Sequence, residues 1–273
     1  MLALEVSERN VTKTILHLFT LMREPRRWFA IVLVVLPASA AAETSTQLWF
    51  SAVLGRQPSE RFYMEVEIQP KTQVSGGERW RNIDATWEAE YYPNNWVDLT
   101  GELVTGFTEQ TDSESSFELT PKVGLRFHFV RQSLQASVFR ENLLINRLPL
   151  NRFYMATWVR MEYRNFFYSG DLESSHEWRL RIRPEFKLAL NNPSLADDQT
   201  LFVRGDVEYF VPLGDEVPER FTNKLRFRLG PGYMLNAGRR VELLFMYDKN
   251  RESSLADFKE DAFMVDLRLT FLF

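Results

Sequence analysis

The chain has 273 residues, 45% hydrophobic and 26% charged, with a formal net charge of −4. It holds no cysteine, which excludes disulfide frameworks, zinc–thiolate sites, iron–sulfur clusters and cysteine nucleophiles. The balanced charge leaves no basic footprint for a nucleic-acid partner, and the 14% aromatic content suits rings placed at lipid–water boundaries.

In chain order, the first signal is N-terminal. Arg23, Arg26 and Arg27 precede an apolar run from Trp28 to Leu36, followed by Pro37 and Ala38-Ser39-Ala40-Ala41-Ala42. A positive region, a short apolar core and a small-residue cleavage site predict a cleavable secretory signal peptide. The run is about half the ~20 residues of a membrane-spanning helix, so it is not read as an anchor. Residues 1–42 are therefore read as a leader cut after Ala42, with Ala40 as the alternative. Met22 is an alternative start, because a complete signal follows it. Residues 43–273 then form one domain exported by the general secretory route.

Beyond Glu43 the sequence alternates apolar and polar residues to its end, which predicts strands. About 12 are expected, near 46–56, 61–70, 80–91, 97–108, 116–129, 133–144, 152–168, 176–190, 199–212, 222–235, 239–249 and 261–273. Turn residues separate them, among them Pro93-Asn94-Asn95, Asn191-Asn192-Pro193-Ser194, Gly214-Asp215 and Asn236-Ala237-Gly238. Gly230-Pro231-Gly232 predicts a bulge or bend inside its strand. The early connections at 93–95 and 130–132 are short where long outside loops are expected. Either a strand is miscounted near 140–152 or the outer loops are short there.

Each strand has one wet and one dry face. A soluble β-protein buries the dry face, whereas a membrane barrel turns it to lipid. Four features favour lipid: the export signal, the even strand count, the charged face of both signs, and aromatics at strand ends. The last are Tyr91-Tyr92 with Trp96, and Phe166-Phe167-Tyr168 with Trp178. The expected fold is an all-β, antiparallel transmembrane β-barrel in a bacterial outer membrane, with a soluble periplasmic β-protein as the alternative. The expected partners are outer-membrane lipid and lipopolysaccharide.

The final segment places Phe263, Val265, Leu267, Leu269, Phe271 and Phe273 on one face, with Met264, Asp266, Arg268 and Thr270 on the other. An alternating last strand ending in Phe resembles the signal read by the barrel-insertion machinery of Gram-negative bacteria, which makes that machinery a further expected partner. The arginine-alternating segments 177–185 and 224–233 resemble a bacterial barrel family known only as a domain of unknown function. That resemblance covers mainly residues 150–273. It implies an outer-membrane barrel and brings no catalytic residues.

Charge on the wet face divides by strand. Glu65, Glu67, Asp84, Glu88, Glu90, Asp98 and Glu102 form an acidic wall on the second to fourth expected strands, with no basic residue among them. Arg179, Arg181, Arg183, Lys187, Arg204, Lys224, Arg226 and Arg228 form a basic wall on the eighth to tenth, tempered by Glu177, Glu185, Asp206 and Glu208. In a ring of about 12 strands the two walls face each other. Two readings follow. One is a small passive, porin-like channel with a transverse field. The other is a structural barrel plugged by salt bridges reaching across it, since an isolated buried charge is costly.

An integral outer-membrane hydrolase acting on lipid or peptide is the competing function. His128 and His176 are the histidines beyond the leader, and Ser174-Ser175-His176-Glu177 holds a hydroxyl, an imidazole and a carboxylate. Neighbours along a strand point to opposite faces, so this adjacency does not predict a triad. The acidic loops 109–115 and 257–261 lack EF-hand spacing, and no helix follows Gly76-Gly77 to cradle a phosphate. No metal, cofactor or catalytic residue is expected.

Overall fold

The computed structural model describes residues 45–76, 79–94, 96–110, 115–130, 152–169, 173–213, 224–250 and 260–273. The described residues form eleven strands: β1 (Ser45–Ser59), β2 (Phe62–Ser75), β3 (Trp80–Tyr91), β4 (Val97–Gln110), β5 (Ser116–Val130), β6 (Phe153–Tyr168), β7 (Ser175–Ala189), β8 (Thr200–Leu213), β9 (Lys224–Asn236), β10 (Arg239–Asn250) and β11 (Glu260–Leu272). Consecutive strands pair antiparallel, and β1 pairs with β11 to close a barrel. Short turns set the register. In the β3–β4 turn Asn94 Oδ1 accepts from the Trp96 and Val97 amides at 2.8 and 3.1 Å, and in the β9–β10 hairpin Asn236 Oδ1 accepts from Gly238 N at 3.0 Å.

The strand limits lie within a few residues of the sequence-based ones, but the count is eleven rather than twelve. The expected strand at 133–144 lies outside the described residues, as does the leader 1–42. Its place in the ring is taken, because β5 pairs directly with β6, from Ser116↔Tyr168 to Val130↔Met155. An odd number of alternating strands leaves the first and last running the same way. The β1–β11 seam is accordingly parallel, in register from Ser45↔Ala262 to Gly55↔Leu272, and not antiparallel as expected. Phe273 N donates to Gly55 O at 3.0 Å across it, and on the inner side Ser51 Oγ donates to Asp266 Oδ1 at 3.0 Å.

Gly230-Pro231-Gly232 inserts no extra residue, for the β9 register is the same on either side of it against both neighbours; the one shift against β10 falls at Arg239/Arg240, beside the hairpin. What it supplies is close approach. A Cβ on Gly230 would lie 1.9 Å from the Leu243 carbonyl oxygen, and one on Gly232 would lie 2.2 Å from the Phe202 ring. Pairing to β10 lapses at Gly230 and Pro231 without a bulge there.

The two faces of the wall are inverted relative to a soluble domain. Leu54, Ile83, Trp87, Val123 and Leu229 are 45–66% exposed on the outside. Asp98, Glu162, Glu208 and Glu242 are at most 1% exposed inside. Of the expected boundary aromatics, Tyr91, Trp96, Phe167 and Trp178 are exposed, whereas Tyr92 and Phe166 turn inward and are buried. In the last strand Leu267 and Phe273 are exposed, Val265 is packed, and Phe263 stacks on Phe245 at 6.5 Å.

The rim holding the β1–β2, β3–β4, β7–β8 and β9–β10 connections also holds Phe273; the chain enters β1 at the opposite rim. At the first rim the 190–199 connection turns inward, and Leu195 packs on Tyr154, Ala156, Ala189 and Phe202. Asn191 and Asn192 brace it, each donating to backbone at 2.9–3.0 Å.

Because the chain lacks cysteine, single thiols can report the seam directly. In a bilayer-embedded barrel, cysteines replacing Ser45 and Ala237 should react with an impermeant maleimide from opposite sides. Labelling of both from one side would contradict the parallel closure.

Candidate functional site: the charged lumen

Alternation along every strand turns one set of side chains into an enclosed space, where charge must find a partner. The sequence-predicted acidic residues all face it. Glu67 accepts both terminal nitrogens of Arg268 at 3.1 and 2.9 Å. Glu65 accepts the Tyr63 hydroxyl at 2.7 Å, with Arg268 at 3.8 Å. Glu102 binds Lys122 at 3.2 Å and Arg160 at 2.7 Å. Glu90 is held by Arg126 and by the Tyr92 hydroxyl at 2.7 Å, while Glu88 lies 3.9 Å from Arg126. Asp84 pairs with Lys71, which sits on the same wall, so the expectation of a wall without basic residues fails. Strand β2 runs past residue 70, and Lys71 keeps the inward parity of Glu65 and Glu67.

The basic wall lies on β7–β9. Arg179 binds Glu162, Arg226 clasps Asp248 at 2.7 and 2.6 Å, and Arg204 reaches Glu242 at 3.3 Å. Glu208 is the hub of this side, accepting from Arg160 at 2.9 Å, Arg181 at 2.7 Å and Arg228 at 2.6 Å. Arg183 lies over the Trp158 ring at 4.7 Å, with Glu185 at 3.9 Å. Lys224 opens β9 in register with Asn250, and its side chain lies outside the described part.

These ion pairs join strands one or two places apart, not opposite walls. The partners come largely from β5, β6, β10 and β11, through Lys122, Arg126, Arg160, Glu162, Glu242 and Arg268. Sequence reasoning confined to the two walls missed most of them, although their inward parity was readable. Three aromatics also went unassigned. Trp158 is flanked by the guanidiniums of Arg126, Arg160 and Arg183 at 3.6–5.0 Å, Phe210 by those of Arg179, Arg181 and Arg226 at 4.7–5.7 Å. Trp49 lies under Lys71 and Arg226 at 4.6 and 4.9 Å.

With charge neutralised along the wall, a cavity of about 390 Å³ remains between the walls. Its lining runs from Tyr92, His128 and Tyr154 near one rim to Trp80, Thr108 and Ser116 near the other. Leu244, Met246 and Met264 form an apolar patch on the β10–β11 side.

The hydrolytic set suggested by residues 174–177 is dispersed. Ser175 Oγ lies 3.1 Å from the Tyr168 hydroxyl, and Glu177 turns inward to accept from Arg164 at 2.7 Å. His176 is exposed between them, its ring 5.8 Å from that of Tyr163. His128 turns inward as expected, with Nε2 2.6 Å from Asp98 Oδ2. The loops 109–115 and 257–261 fall partly outside the described residues, as do Gly77 and the connection beyond Val130.

Replacing Glu208 by Gln removes the charge shared by three guanidiniums. Breaking a buried pair from one side costs about 3–5 kcal/mol, and this loss should appear as a lowered urea midpoint in detergent. A change below about 1 kcal/mol would show that the hub is dispensable.

No curated protein sequence matches the chain. Among solved structures, LpxR from Salmonella typhimurium is similar at a TM-score of 0.51 and 9% identity, covering 81% of this chain and 87% of that one. At this identity the likeness concerns the fold, a closed all-β barrel. The translocator domain of autotransporter NalP from Neisseria meningitidis aligns at a TM-score of 0.40 and 12% identity, over 72% of this chain and 71% of that one. The family match is wider than the resemblance over 150–273 implied: the model described as "Protein of unknown function (DUF2490)" matches residues 46–258, and the chain belongs to that family.

Proposed function

We propose that the protein spans the bacterial outer membrane and that its lumen is a narrow aqueous passage for ions and small polar solutes. The observation that carries this reading is where the lumen charges pair. Among the described residues nearly all are satisfied by neighbours along the wall and none by the opposite wall, and a polar cavity reaches toward both rims. At about 30 Å³ per water, 390 Å³ holds on the order of a dozen molecules. Distributed over an apolar band about 25 Å tall, that is a thin file.

The exterior supports the membrane setting. Exposed Leu, Val, Ile, Phe and Trp around the wall have no favourable contact in water and a good one in acyl chains. Lipid and lipopolysaccharide are then the surrounding partners. The leader at 1–42 supplies export by the general secretory route, and the outward row Phe263 to Phe273 supplies the insertion signal. A hydrolase reading is weaker, because Ser175 and Glu177 turn away from His176.

Purified protein in planar bilayers should give small, discrete conductance steps. Leu195→Ala, by trimming the side chain packed inward at one mouth, should enlarge the steps without altering gel migration of the unheated protein. Silence of both proteins across a range of voltages would remove the passage.

A further inference from the structure

Nearly every described lumen cation has a carboxylate within hydrogen-bonding distance, and two on β7 do not. Arg183 has its nearest at 3.9 Å, on Glu185. Lys187 is 8% exposed and forms no ion pair among the described residues; its nearest aromatic neighbour is the Tyr154 ring, 5.6 Å from Nζ. By contrast, Lys122, Arg160, Arg164, Arg226, Arg228 and Arg268 all have a carboxylate oxygen at 2.6–3.2 Å.

Register sharpens the contrast. Lys187 stands directly opposite Arg204 on β8, and like charges in that position repel. The barrel contains a second such pair, Arg160 opposite Arg181, and there Glu208 accepts from both at 2.9 and 2.7 Å. Arg204 keeps its own counter-charges, Glu242 at 3.3 Å and Glu185 at 3.6 Å. Lys187 shares the neighbourhood of the same two carboxylates but has neither within ion-pair distance. Arg183 and Lys187 share the inward face of one strand, on either side of Glu185, and both line the cavity. Glu185, between them, accepts from Trp158 Nε1 at 3.1 Å and is hydrogen-bonded to neither cation, unlike Glu208 with Arg160 and Arg181.

We propose that Lys187 and Arg183 form a binding station for the oxyanion of a small solute, a carboxylate or a phosphate, on the β7 wall of the lumen. This names the solute class of the proposed passage and rests on the lumen being open to water. The oxyanion accepts from the Lys187 ammonium, while the Arg183 guanidinium, two inward-facing places back along the strand, adds positive charge to the same stretch of wall.

Calorimetric titration of the full-length barrel in detergent, at fixed ionic strength, tests this with inorganic phosphate and separately with acetate. Both should bind saturably. Lys187→Met should weaken phosphate at least tenfold and Arg183→Gln severalfold, while Lys187→Arg should retain binding. Retarded gel migration on heating checks that each variant is folded. Lys71→Met removes a lumen charge already paired with Asp84 and should leave phosphate binding unchanged. Failure of wild type to bind either anion, or equal weakening by Lys71→Met, would overturn the station. Conductance on the same preparations separates the two readings. Steps without anion binding would leave the passage and remove the station; binding without steps would do the reverse.

Discussion

A charge enclosed by protein must find a counter-charge or water, and the lumen is organised around that requirement. The interior of this barrel carries carboxylates and guanidiniums on almost every strand, and leaving one such group unpaired costs several kcal/mol. Glu208 serves three arginines and Arg126 serves Glu90 with Asp98 and Glu88 nearby, so removing a single partner disturbs several. Cations stacked on Trp158, Phe210 and Trp49 fix the directions in which those side chains point. The exterior needs no such network, because an apolar side chain against acyl chains has nothing to satisfy.

Pairing between near neighbours has a consequence for the space inside. Bridges across the middle would tie opposite walls and fill the lumen. Bridges along the wall, such as Arg160–Glu102 and Arg268–Glu67, hold the charge at the periphery. Filling comes instead from apolar groups at defined places, Leu195 at one mouth and Leu244, Met246 and Met264 on one side. The walls remain of opposite sign, acidic toward β2–β4 and basic toward β7–β9, with a cavity between them.

Much of this was legible from periodicity. The strand β3 runs over the residues 80–91 that alternation marks, and the inward parity of Glu65, Glu88, Arg181 and Arg226 follows from a period of two. What periodicity cannot carry is the ring. Whether a segment such as 133–144 adds a strand is decided by whether its neighbours' edges are free, and those of β5 are taken by β4 and β6. Strand number in turn sets the direction of the β1–β11 seam. Which cation meets which carboxylate depends on stagger and side-chain reach. Arg126 meeting Glu90 two strands away therefore has no local signature, and neither does the unpaired state of Lys187.

The barrel requires oil outside and charge inside. Single-tryptophan variants in vesicles containing brominated acyl chains measure this directly. Trp87, 45% exposed on the outer face, should be strongly quenched, while Trp158, 6% exposed among guanidiniums, should keep its emission. Quenching of Trp158 with protection of Trp87 would mean that the faces are reversed and the lumen is not where the charges lie.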